Sequence, residues 1–121
     1  MSFAGDIGKF REKALKRYRA VYRGSVQDVT NLANKPRAQG GRMPVDTGFL
    51  RGSLSGNIGS MPDATQSVAA ALAQWEPDKT VYAGWTANYA RYMEARYGFL
   101  RGAAEQWGAI VRHNVEKAAE I

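Results

Sequence analysis

From Asp6 to about Leu32 the apolar positions recur at helical spacing. Ile7, Phe10, Ala14, Tyr18, Val21, Val29 and Leu32, with Ser25, fall on one face. The pattern predicts one long amphipathic helix over 6–33. Lys9, Lys13, Lys16, Arg19 and Arg23 fall mostly on the opposite side, so burying the stripe leaves a basic ridge outward. Periodicity then stops. Residues 34–45 carry two prolines, the Gly40-Gly41 pair and three cations, which predicts a mobile basic loop. Asp46 or Thr47 can cap a short helical turn. Leu54, Gly56 and Ile58 then alternate with Ser53, Ser55 and Asn57, the period of a half-buried strand.

Asp63 is a capping candidate for an alanine-rich helix of about three turns, with Val68, Leu72 and Trp75 as its apolar contacts. Glu76-Pro77-Asp78-Lys79 breaks that helix, and Thr80–Thr86 is the clearest strand, rich in β-branched and aromatic residues. Tyr89, Tyr92, Met93 and Arg96 share a helical face after Asn88, a good capping residue. From Leu100 a second amphipathic helix runs to the C-terminus through Ala103, Ala104, Trp107, Ile110, Val111, Val115 and Ala118. The expected architecture is therefore α+β. A small antiparallel sheet, with a short helix inserted, packs against a long N-terminal helix and a C-terminal helix.

With 121 residues, a single domain over 1–121 is expected. Charge changes the picture more than composition does. Residues 1–51 hold 11 Lys/Arg and 4 Asp/Glu, a balance of +7, whereas residues 52–121 hold 6 and 7, a balance of −1. Such asymmetry fits contact with a polyanion or an acidic surface, and it also aids solubility. The ridge on the first helix accordingly has two readings, a solvated face and a nucleic-acid contact. The longest apolar run, Val68–Ala73, is far shorter than the ~20 residues a membrane span needs. No membrane contact and a cytosolic site of synthesis are expected.

Candidate chemistry is sparse. The absence of cysteine removes disulfides, thiolate zinc sites and thiol nucleophiles, and His113 is the single histidine. Asp46-Thr47-Gly48 has the form of an aspartic-protease tripeptide, but that chemistry needs two facing carboxylates. Its flanks do not read as the required strand and turn. Glu94 and Glu105 have no sequence-evident carboxylate partner, and His113 reads as a surface residue near Glu116. Tyr82, Trp85, Tyr89, Tyr92 and Tyr97 concentrate aromatic surface near Arg91 and Arg96. Interface anchors or an ordinary core explain them more simply than base stacking does. No enzyme is expected.

Three stretches, taken in order, are similar to the head-tail joining, tail-completion or tail-terminator proteins of long-tailed bacteriophages. Pro44–Leu54 resembles that family's Val-Asp-Thr-Gly-x-Leu-Arg-x-Ser segment through Asp46, Thr47, Gly48 and Leu50. Val81–Ala90 resembles its strand followed by Tyr-Ala, here Tyr89-Ala90, with Glu94 near where a glutamate is expected. Gly98–Ala104 is like its Phe-Leu-x-x-Ala opening of the last helix, here Phe99 and Leu100. One departure is local: relatives usually place a glycine two residues after the glutamate, and here it is delayed to Gly98.

The resemblance implies a structural virion protein forming a homo-oligomeric ring, commonly a hexamer, at the neck or tail end. It further implies assembly in the host cytoplasm and no cofactor, metal or catalytic residue. Its partners would be other copies of itself, a connector or portal-side ring, the tail tube protein, and genome DNA passing through the lumen without sequence-specific binding. Arg37 and Arg42 are then the candidates for contact with a neighbouring ring or DNA, and Tyr89, Tyr92 and Arg96 for subunit contacts. The competing expectation is a small basic DNA-binding protein using Lys9, Lys13, Lys16, Arg19 and Arg23.

Overall fold

A computed structural model describes residues 2–121. Helix α1 spans Phe3–Ala33, about 46 Å, and starts three residues earlier than the periodicity indicated. Its start is set by Ser2, whose hydroxyl accepts from the Gly5 amide, and Asp6 sits favourably in the first turn. Asn34 ends it, its amide bonding back to the Leu32 and Thr30 carbonyls. After a one-turn 3-10 segment at Arg37–Gln39 come α2 (Phe49–Gly52), β1 (Leu54–Ile58), α3 (Val68–Ala73) and β2 (Val81–Trp85). Helices α4 (Ala90–Tyr97), α5 (Phe99–Ala104) and α6 (Trp107–Ala118) complete the chain. The class is α+β, with a two-stranded antiparallel sheet and a C-terminal helix packed along the N-terminal one.

β1 and β2 pair from Leu54 opposite Trp85 to Ile58 opposite Val81. Side chains do not alternate in burial as expected, because Ser55 and Gly56 are both buried. The reason is that the strand is covered on two sides. The Ser55 hydroxyl accepts from the Ala64 amide, and the Gly56 amide donates to the Gln66 carbonyl. α3 lies directly over Gly56, where an added Cβ would stand 2.9 Å from the Val68 Cα. Only glycine permits that approach.

Three expectations are corrected here. The inserted helix has six residues, not three turns, and Ser67 caps it by accepting from Ala70. Asp63 is occupied in its own turn, where the hydroxyl and amide of Thr65 donate to it and hold its carboxyl below the usual aspartate range. The C-terminal helix is broken at Glu105-Gln106 into α5 and α6. Residues 34–45 are not structureless: Pro36 bridges Met43, the Arg37 amide donates to Met43, and the Met43 amide donates to Lys35. Met43 itself is fully buried, and an anchored apolar side chain converts the segment into a folded corner.

The core has two parts. Met43, Leu50, Ala87 and Phe99 form one cluster, with Trp85, Ala90 and Met93 packed on it. Trp75, just after α3, fills the other, stacked on Tyr22 with ring centroids 3.9 Å apart and donating its indole N–H to the Lys79 carbonyl. α6 runs back along α1: the Asn114 amide donates to Asp28, and Arg17 donates to the Ala119 and Ile121 carbonyls. Of the described helices, none is long and apolar enough to cross a membrane.

Candidate interaction surface

The three stretches that carry the family resemblance lie far apart in the chain and meet around one cluster. Leu50 and Phe99 are buried in it, and Trp85 packs edge-on against Phe99 at 4.9 Å. Gly48, in the left-handed region, precedes α2, while the Thr47 hydroxyl accepts from the Phe49 amide. Neither expected cap stands at the N-cap of α2, which is Gly48 without a side-chain cap bond; Thr47 reaches the Phe49 amide from one residue outside, and Asp46 stays exposed. Tyr89 lies 6.1 Å from Phe49, ring to ring, so the first and second stretches also touch at the surface. Tyr89, not Asn88, stands at the N-cap of α4, without a side-chain cap bond.

Glu94 has a definite structural task. Its two carboxylate oxygens accept from the amides of Leu100 at 2.7 Å and Arg101 at 3.0 Å, across the turn at Gly98. Gly98 has φ 65°, a conformation open to glycine, and its amide closes α4 on the Glu94 carbonyl. The delayed glycine therefore ends α4 one turn after Glu94 and lets that carboxylate reach the first amides of α5. Leu100 is itself exposed, and Ala90 packs on the cluster.

The candidate contact residues fall into two groups. Arg37 and Arg96 both lie over Tyr97, their guanidinium carbons 4.8 and 5.4 Å from its ring centre. Arg42 donates to the Gly98 carbonyl at 3.4 Å and lies against Gly102. Arg101, which the sequence did not single out, lies against Gly98. Four arginines thus surround the Tyr97-Gly98 corner, two over the aromatic ring and one on the Gly98 carbonyl. Tyr89 and Tyr92 form the second group, exposed with Phe49 and Val45. A groove beside the arginine group is lined by Pro36, Arg37, Val45, Asp46, Met93 and Tyr97.

The basic ridge is not assembled as one surface. Arg23 donates to the Leu72 and Trp75 carbonyls, both at 2.9 Å, and Arg19 pairs with Glu76 at 2.8 Å. Arg23 thus meets the carbonyl end of α3, where positive charge is favoured, while Arg19 meets a carboxylate just beyond it. Lys9, Lys13 and Lys16 are exposed further along α1. Asn34 was missed altogether. Its side chain accepts from the Trp85 indole and donates to the Arg51 carbonyl, while Arg51 donates back to the Asn34 carbonyl. An asparagine just past a helical pattern is a C-cap signal, and it could have marked this residue. Among the described residues, no group of three or more His, Cys, Asp or Glu side chains is placed to hold a metal ion. No protein-family model, curated protein or solved structure matches the chain.

Proposed function

We propose that this chain is a structural virion protein of a tailed phage, forming a homo-oligomeric ring at the head-tail neck or tail end that joins or completes the tail. One observation carries the reading. The three resembling stretches form a single packed unit, with Leu50 and Phe99 in its core, Tyr89 against Phe49, and Glu94 tying α4 to α5. Exposed apolar surface supports it too, because Val45, Phe49, Tyr89 and Tyr92 are exposed, Phe49 beside Tyr89, as are Trp107 and Val115 along α6. Closed rings need two different faces meeting head to tail.

In this reading Tyr89 and Tyr92 make subunit contacts, and Arg37, Arg42 and Arg96 face a neighbouring ring or the DNA path. The protein binds no cofactor and catalyses nothing. Electron microscopy of a lysate from a phage with this gene inactivated tests the role. Filled heads beside unattached tails, or tails of uncontrolled length, are the expected result; complete infectious particles would reject it.

The DNA-binding alternative shifts ground, because Arg19 and Arg23 are engaged within the fold. Its best surface is the arginine group at Tyr97-Gly98. It predicts duplex binding that falls steeply with salt and is lost on reversing Arg37, Arg42 and Arg96 together.

A further inference from the structure

Helix α1 outruns the body that it packs on. α6 returns alongside it only as far as Arg17, which holds the Ala119 and Ile121 carbonyls. Residues 3–16 extend beyond that point as an arm of about 21 Å. Phe3, Ile7, Phe10 and Ala14 follow one another at steps of four, three and four, the spacing of a coiled-coil seam. The seam is uncovered: Phe3 is 81%, Ile7 52% and Phe10 75% exposed. That is on the order of 400 Å² of apolar surface per chain, roughly half of what a standard interface removes from each partner.

We propose that residues 3–16 pair, antiparallel and about a two-fold axis, with the same residues of a second copy of this chain. Antiparallel seams set the first position of the heptad against the fourth. With the axis beside Gly8, Ile7 faces the partner's Phe10, and Phe3 faces the partner's Ala14. Large meets small in the outer layers. A parallel pair would instead set Phe10 on Phe10 and Ala14 on Ala14, crowding one layer and emptying the next. Charge points to the same register. Asp6 and Lys13 flank the seam on one side, and the antiparallel arrangement places Asp6 against the partner's Lys13 twice by symmetry. Lys9, Glu12 and Lys16 take the outer side. Gly8 weakens an uncovered helix, so the arm gains from a partner. This pairing goes beyond the ring reading, because it closes at two copies and uses neither the tyrosine face nor the arginine corner.

Sedimentation velocity of the full chain between about 1 and 100 µM tests it, the range that a contact of this size implies. Association is expected to rise with concentration and to vanish in Ile7→Asp. Lys13→Asp should weaken it about tenfold, and the double swap Asp6→Lys/Lys13→Asp should return it to within about threefold of the parent. Melting of the dilute variants should match the parent, since Asp6, Ile7 and Lys13 are exposed in the single chain. Four outcomes overturn the proposal. The chain stays monomeric throughout; oligomers survive Ile7→Asp unchanged, which assigns them to another face; Asp6→Arg/Arg11→Asp conserves association where the first swap does not, which makes the pair parallel; or a monomeric chain carries the arm onto vesicles of anionic phospholipid.

Discussion

The two halves of α1 share one helix, one apolar period and one sign of charge, yet only one half is buried. Residues 17–33 press against α3, α5 and α6, and Ser25, Thr30 and Ala33 are almost inaccessible. Residues 3–16 present the same stripe to solvent. A hydrophobic period therefore shows which face of a helix seeks cover, and says nothing of what covers it. For residues 17–33 the cover is Trp75 and α6 of the same chain. For Phe3, Ile7 and Phe10 no described residue supplies one.

Trp75→Ala breaks the comparison hardest. The indole is buried, stacked on Tyr22, 5.9 Å from Tyr18, and satisfied by the Lys79 carbonyl. Removing it should cost about 3–5 kcal/mol in chemical denaturation and lower Tm by roughly 10–20 °C. A loss below about 1 kcal/mol would mean that the central turn of α1 is not held by this contact. Next in size is Arg23→Ala, which strips two hydrogen bonds from the carbonyl end of α3. About 2 kcal/mol is expected by the same measurement, with little relief from salt because the guanidinium is half-buried against Trp75.

The arginine case shows how far the sequence could be read. The class, both strands and the long helix were legible, because period and β-branched composition are local properties. Arg23 read as part of an outward ridge, since helical spacing opposes it to the apolar stripe. The structure turns it onto α3 through a contact 49 residues away in sequence, which no period encodes. The corner at 34–45 was misread for a related reason: Pro and Gly announce irregular backbone, while Met43, its anchor, is one apolar residue with no periodic neighbour. The break between α5 and α6 leaves no proline behind. At the candidate surface, Asp46, Thr47, Gly48, Leu50, Tyr89, Ala90, Glu94, Phe99 and Leu100 were legible as a set only through resemblance. The bonds from Glu94 to the α5 amides could not be read from spacing alone.

Arg19→Ala is a gentler probe of the same boundary. The pair with Glu76 is more than a third exposed on both sides, so solvent and salt screen it. About 0.5 kcal/mol should be lost at low salt, and the difference from the parent should disappear near 1 M salt. A loss equal to that of Arg23→Ala would move the boundary between the packed and open halves one turn toward the N-terminus.

The smallest expected effect is the sharpest test of the contrast. Phe10→Ala removes one of the largest exposed side chains of the arm, yet below the association range it should change unfolding free energy by no more than about 0.5 kcal/mol. Amide hydrogen exchange gives the same contrast without mutation. At high dilution the amides of 7–13 should exchange close to the unprotected rate, because fraying of an uncovered helix end costs little. Those of 26–33 can open only with the packed body, so their protection should approach the global stability. Raising the concentration should slow exchange in 7–13 and leave 26–33 unchanged. Equal protection of both segments at high dilution would mean that the helix is held by its own length rather than by packing, and the difference between its halves would lose its physical basis.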